Sequence, residues 1–409
     1  MMFGFQILLL AAQILIAAMV CYLLLLTFAA TRAKKHTPVA HRGQPTHRFL
    51  ILVPAHNEEN LLPGLLESLQ ALDYPASLYT VHVVADNCTD RTAEVARQGG
   101  AVVHERSDLT RRGKGYALQW LLQRLWDAGE PHDAVVVLDA DTVVSPNFLR
   151  VMDARLASGE EVIQSYYAVR NPDRSWAVSL RYAALAAVHY LRPLGRTVLG
   201  GSVGLKGNGM VFAAHVMKEH QWTAHLTEDI EFHMALVLNG KRVTFAPDAV
   251  VQAEMPATLS GAQTQNVRWE RGRLQMARQY VPQLLKKMFS SLNNRPGRAF
   301  LYLDAAMEHV IPPFSMLLAL SGVLLSAAIL LPAPQVQGLK WANIILGIGI
   351  LAGEIIYALA SLKLAQAPPK IYQALVYAPA FVVWKIWLYF RVLLGLDKQG
   401  WVRTARNEP

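Results

Sequence analysis

The chain has 409 residues, of which 53% are hydrophobic and 17% are charged. Ordinary soluble domains carry about 25% charged residues, and here the deficit lies at the two ends, which is the pattern of a membrane protein with a soluble middle. Two cysteines exclude a disulfide framework and a cysteine-rich metal site, and a net charge of +9 suits basic membrane flanks as well as a nucleic-acid surface.

Phe3 to Ala30 contains no charged residue. As a helix it is about 42 Å long, enough for a bilayer core of ~30 Å. Nothing basic precedes it, whereas Arg32, Lys34, Lys35, Arg42 and Arg48 follow it. Residues 1–31 are therefore expected to be an uncleaved anchor with its start outside the cell. Residues 32–48 are expected to be a basic cytoplasmic linker beside anionic headgroups.

From Phe49 the pattern changes. Phe49–Val53 predicts a strand, followed by Pro54-Ala-His-Asn-Glu-Glu59 and a helix to about Leu72. Val81–Ala85 predicts a second strand, ending in Asp86-Asn87-Cys88-Thr89-Asp90. A helix over 90–98 and a strand over 101–104 come next. Arg111-Arg112-Gly113-Lys114-Gly115 then opens a helix to about Asp127. Val135-Val-Val-Leu138 reads as a strand buried on both faces, and it runs into Asp139-Ala-Asp141. Strands alternating with helices predict an α/β domain with a parallel sheet over 49–280, its polar clusters gathered along one edge.

That edge suits a nucleotide. Pro54, His56 and Glu58 are candidates to hold it. Asp86 suits a base N–H or a ribose hydroxyl, although a helix cap would use it as well. Arg112 and Lys114, among glycines, suit a diphosphate, although a solvated loop charge is the plainer account. Asp139 and Asp141 repel each other unless a cation sits between them. Hard oxygen ligands favour Mg²⁺ or Mn²⁺. No G-x-x-x-x-G-K-[ST] occurs, so this is no P-loop.

Beyond Asp141 a strand over 161–170, a helix over 175–192, a glycine-rich stretch from Gly200 to Gly209 and a strand at Met210–Phe212 are expected. Thr227 is a candidate cap for a helix to Leu238. Glu228 and Asp229 either complement that helix dipole or supply a general base in Asp229, with His233 one turn on. A long polar helix from Pro256 to about Lys287 places Gln265, Arg268 and Trp269 on one face. They suit a leaving diphosphate and a stacked sugar, or a bilayer surface.

Asp86, Asp139-Ala-Asp141, Thr227-Glu-Asp229 and Gln265-x-x-Arg268-Trp269 stand in the order and rough spacing of membrane-bound family 2 glycosyltransferases. The chain resembles that family, which includes cellulose, chitin and hyaluronan synthases and ceramide glucosyltransferase. The resemblance implies a GT-A fold, a UDP-sugar donor, hexosyl transfer with inversion, and Mg²⁺ or Mn²⁺. It implies that Asp86 contacts uracil, that Asp139 faces ribose and metal, and that Asp141 is the more direct metal ligand. Asp229 would be the catalytic base. Gln265, Arg268 and Trp269 would hold diphosphate and acceptor, with Glu228 on the acceptor side. Trp401-Val-Arg403-Thr404 resembles the gating segments of related synthases. Lys206–Phe212 departs from the cellulose synthase pattern, so glucose specificity does not carry over.

The C-terminal part resumes the membrane pattern. Residues 281–310 are expected to be an amphipathic interfacial segment, 311–396 transmembrane and interfacial helices, and 397–409 a basic cytoplasmic tail. Ile311–Leu331 and Trp341–Leu362 are the expected spans. Residues 371–396, with Lys385 and Arg391, are expected at the interface. Glu354, inside a span, is a functional candidate or a buried helix partner.

The leading expectation is a multi-pass inner-membrane enzyme with a cytoplasmic catalytic domain, building a β-linked polysaccharide. So few helices would need a homo-oligomer or a small accessory subunit to form a polymer channel. The alternative is transfer of one sugar to a lipid acceptor. A non-catalytic scaffold predicts missing carboxylates, and none is missing. A nucleic-acid partner is not expected, because many basic residues flank the membrane runs.

Overall fold

The computed structural model describes residues 2–33, 44–220, 222 and 227–394. Eight strands form one sheet: β1 (Phe49–Ala55), β2 (Tyr79–Asp86), β3 (Val102–Arg106), β4 (Ala134–Val137), β5 (Thr142–Val144), β6 (Val162–Val169), β7 (Met210–Ala213) and β8 (Thr244–Ala253). Their order is β3-β2-β1-β4-β7-β6-β8-β5. Strands β3, β2, β1 and β4 are parallel, as expected of strands joined through helices. The rest of the sheet corrects the expectation of a parallel one. Strand β7 runs antiparallel to β4 and to β6, and β5 antiparallel to β8. The regular strand–helix alternation stops at Asp141, so nothing forces a parallel return.

Side chains alternate across the sheet. Phe49, Ile51 and Val53 face one core with Leu62, Leu65 and Leu66 of the Leu62–Gln70 helix. Leu50, Leu52, Val135 and Val137 face another with Leu118, Leu121 and Leu122 of the Lys114–Asp127 helix. That second core continues into Val20, Leu23, Leu26 and Ala30 of the Met2–Arg32 helix. The second half of that helix is thus packed into the core of the sheet domain. The contact is close: a Cβ on Gly195 would lie 2.3 Å from the Leu26 carbonyl oxygen. Only glycine lets the Arg192–Leu199 helix approach so near.

The helix expected over 175–192 is Trp176–Ala186, one π-helical turn at Ala187–Leu191, and then Arg192–Leu199. The long polar helix is Leu259–Ser291, with Thr258 Oγ1 accepting the Gly261 N–H at 3.1 Å. Thr227 precedes the Glu228–Leu238 helix, but its side chain makes no capping hydrogen bond. It abuts Gly272 instead, where a Cβ would lie 2.1 Å from Thr227 Cγ2. The helices carrying Asp229 and Arg268 are held together there.

The Pro296–Val310 and Phe314–Leu330 helices meet at a 72° bend beside Pro312-Pro313. Phe3–Arg32, Pro334–Leu364 and Pro369–Val392 are each long and apolar enough to cross a membrane, and the bent pair passes the same test together. Within the stretch expected at the interface, Lys385 turns its Nζ inward to Asn266 Oδ1 at 2.6 Å. Most of the linker, residues 34–43, and the gating candidates Trp401 and Arg403 lie outside the described residues.

Candidate active site

The ends of β1 and β2 are clamped together. Past β1, Asn57 takes a left-handed turn at φ +56° and accepts the Thr89 N–H at 2.8 Å. His56 Nδ1 donates to the Asp86 carbonyl at 2.7 Å, and the Glu58 N–H to Thr92 Oγ1 at 2.7 Å. Asp86 itself is buried and accepts from Arg106 Nη1 at 2.5 Å. Arg106 also holds Asp108 at 3.1 Å and the Arg111 carbonyl at 2.8 Å. Asp86 is therefore a fixed acceptor and not a helix cap. Arg106 was not singled out from sequence; its signal is its register, directly beside Asp86 at the end of β3.

Strand β4 ends at Val137, and the chain turns through Asp139 and Asp141 on its way to β5. The Asp139 N–H donates to Asn208 Oδ1 at 3.1 Å. Lys114 Nζ donates to Asp139 Oδ1 and to the Gly207 carbonyl. Burial opposes its charge, but the carboxylates of Asp139 and Glu228 outweigh it and hold its pKa above the ordinary lysine value.

Glu228 and Asp229 open their helix with no side-chain cap from Thr227. Burial pushes the Asp229 carboxyl upward, against the Ile230 N–H, Lys114 and Lys206, which favour its charged form. Glu228 moves up as well, through burial and the neighbouring Asp229 charge. A carboxylate poised upward in a cleft, with cations at hand, is suited to take a proton. His233 is buried against Ser202 Oγ at 2.9 Å, and burial lowers it to about 3, so it stays neutral. Gln265 Oε1 accepts from Arg181 Nη2 at 2.8 Å, while Arg268 Nε is buried without a hydrogen-bond partner.

One cavity of about 920 Å³ joins these groups. Pro54, His56, Glu58, Asp86, Lys114, Asp139, Asp141, Glu228, Asp229, Gln265, Arg268 and Trp269 all line it. The sequence reading did not single out Arg181, Arg192, Glu308 and His309, which line it too. Beyond Asp229 the cavity continues between helices, along Leu180, Ala184, Phe314, Leu318, Leu362, Phe381 and Val382. Its helix-borne walls mix these apolar side chains with the charged Arg181, Arg192, Arg273 and Lys385.

Among the described residues no group of three or more His, Cys, Asp or Glu could hold a metal ion by itself. Asp139 and Asp141 nevertheless offer hard oxygen at one turn. A divalent ion bound by one or two carboxylates and completed by substrate phosphates and water needs no more. The residues present fit Mg²⁺ or Mn²⁺ held in that way.

Residues 45–272 match the family described as Glycosyltransferase like family 2. A β-monoglucosyldiacylglycerol synthase of Synechocystis sp. is 28% identical over 236 residues, 56% of this chain and 48% of that protein. A poly-β-1,6-N-acetyl-D-glucosamine synthase of Staphylococcus aureus is 25% identical over 257 residues, 60% of this chain and 57% of that protein. The chain thus spans about half the length of the curated relatives it matches. A mannosyltransferase of Pyrobaculum calidifontis, solved with GDP-Man and Mn²⁺, shares the fold with a TM-score of 0.56 at 18% identity, over 88% of this chain and 99% of that one. With the match covering more than half of its residues, the chain belongs to the glycosyltransferase-like family 2.

Proposed function

We propose that this protein transfers a hexose, with inversion, from a UDP-sugar to the hydroxyl of a membrane lipid. The observation that carries the reading is the continuity of the cavity from Asp139 and Asp229 to the apolar space beside Phe314, Leu318 and Phe381. A lipid tail would enter there while its head reaches the base. The similarity to a glucosyldiacylglycerol synthase supports the same reading. A polymer synthase is the second reading, supported by the similarity to the S. aureus enzyme. A polysaccharide, however, would meet Phe314, Leu318 and Phe381 in that space, unless a second copy or an accessory subunit supplied the channel.

In this reading Asp86, steadied by Arg106, accepts from the uracil ring. Asp229 takes the proton of the acceptor hydroxyl as that oxygen attacks the anomeric carbon. The bond from that carbon to the diphosphate breaks, and Lys114 and Arg268 meet the charge on the leaving oxygen. A divalent ion on Asp139 and Asp141 would supply further neutralisation of the diphosphate. No protein nucleophile is needed. We place this chemistry on the cytoplasmic side of the inner membrane, where the basic flanks of the Phe3–Ala30 run belong.

The test is UDP release by the full chain in detergent, with UDP-glucose, UDP-galactose, UDP-N-acetylglucosamine and UDP-glucuronate in turn, with and without lipid extract. Lipid-dependent release with one donor, lost on chelation, and a single glycolipid product are expected. A ladder of long, lipid-free products would replace this reading with the polymer one.

A further inference from the structure

Buried charge is costly without a counter-charge. The helix-lined half of the cavity holds Arg181, Arg192, Arg273 and Lys385. Among the described residues the carboxylate of Glu270 lies near two of them, Arg273 and Lys385. Its oxygens lie 3.6 Å from Lys385 Nζ and 3.6 Å from Arg273 Nε, too far for hydrogen bonds. Glu270 also accepts from the Tyr389 hydroxyl at 3.1 Å.

The cations turn to neutral partners. Arg181, 4% exposed, donates to Gln265 Oε1, the Pro256 carbonyl and Met255 Sδ. Arg192, 7% exposed, donates Nε to the Tyr357 hydroxyl at 2.6 Å, and its Nη2 is buried with no hydrogen-bond partner. The nearby Glu308 is already engaged by Arg196 and Lys206. Both ring nitrogens of His309, another buried lining residue, are unpartnered as well. Four cations therefore share this half with Glu270, which lies near only two of them, beside the apolar Leu318, Phe381 and Val382.

We propose that this half of the cavity binds an anionic amphiphile, with its phosphate or carboxylate among Arg181, Arg273 and Lys385 and its acyl chain along Leu318, Phe381 and Val382. The inference rests on the lipid-acceptor reading and narrows it to an acidic lipid. The missing counter-charge is the ligand's own. The donor diphosphate is assigned elsewhere, to Lys114, which opens its helix beside Asp139, and to Arg268 on the Leu259–Ser291 helix.

Equilibrium binding to the full chain in a neutral detergent tests this without turnover. The probes are dioleoylphosphatidate, oleate, dioleoylglycerol, inorganic phosphate and UDP. Phosphatidate or oleate is expected to bind roughly ten-fold or more tighter than dioleoylglycerol, a preference that Arg181→Gln and Lys385→Gln each reduce by a similar factor. Lys385→Arg should retain it, which separates lost charge from lost folding. The better of the two acids identifies the headgroup as phosphate or carboxylate. Equal binding of neutral and acidic lipid would overturn the proposal. So would inorganic phosphate binding as tightly as phosphatidate, or a loss of UDP binding in place of lipid binding in the variants. Should the enzyme make a polymer yet still show this preference, the acceptor reading fails and the acidic-lipid site stands.

Discussion

The two halves of the cavity are built differently. At the strand ends carboxylates meet cations: Asp86 pairs with Arg106, and Asp139 with Lys114. Among the helices, charges meet amides, hydroxyls and carbonyls, as in Arg181 with Gln265 and Arg192 with Tyr357. A site that must grip one polar molecule in the same way every turnover is preorganised by its own ion pairs. A site lined by such neutral partners leaves room for a ligand to complete it.

Four substitutions and one titration would break or sharpen that contrast. The largest effect belongs to Asp229, where the halves meet: Asp229→Asn is expected to lower kcat about 10²–10⁴-fold while leaving UDP binding intact. If kcat holds, Asp229 is not the base. Next is Lys114→Met, which should cost about 10²–10³-fold in kcat, read by single-turnover transfer, with acceptor KM unchanged. Phe381→Ala should do the opposite, raising acceptor KM roughly ten-fold without touching UDP affinity. A change in donor affinity there would erase the division into halves. Arg106→Met leaves Asp86 buried without a counter-charge, held among the described residues only by Asn87 Nδ2 at 3.0 Å, and is expected to cost about 3–5 kcal/mol of stability by denaturant titration. Donor KM should rise with it, because Asp86 loses its fixed position.

The smallest effect is a shift in pH dependence. The base must be deprotonated, and burial raises the Asp229 carboxyl above its usual range. Activity should therefore be full above that raised value and fall as pH drops through it. The acid limb of kcat/KM is expected above pH ~4, the ordinary carboxylate value. A limb below that point would mean that Asp229 is better solvated than the cavity implies.

The donor half was legible in the sequence because its information is local. A β-branched run ending in Asp139-Ala-Asp141 announces a buried strand and its carboxylates within seven residues. The direction of a strand is not local, so β7 was found but not its antiparallel pairing. Strand β8 was missed because its partner register breaks between Ser165 and Tyr166, which brings Pro247 and Asp248 into an otherwise apolar run. The helix-lined half was hidden for a related reason. Lys385 stands among Trp384, Trp387 and Arg391, a composition typical of a bilayer surface. Only the packing of its helix against Leu259–Ser291 turns it to Asn266. Arg106 resembled any polar strand end until its neighbour across the ladder proved to be Asp86.

The docking of the Met2–Arg32 helix has a consequence for how the protein is made. Its Gln6 pairs with Asn343, 337 residues later. At about 5–20 residues per second, synthesis takes roughly 17–70 s to bring that partner out of the ribosome. Until then Gln6 and Gln13, both fully buried in the finished protein, lack the helix that covers them. The sheet core likewise lacks the wall that Leu23 and Leu26 complete against Ile350 and Tyr357. The Met2–Arg32 helix is therefore locked in place only after the chain has been made beyond Asn343.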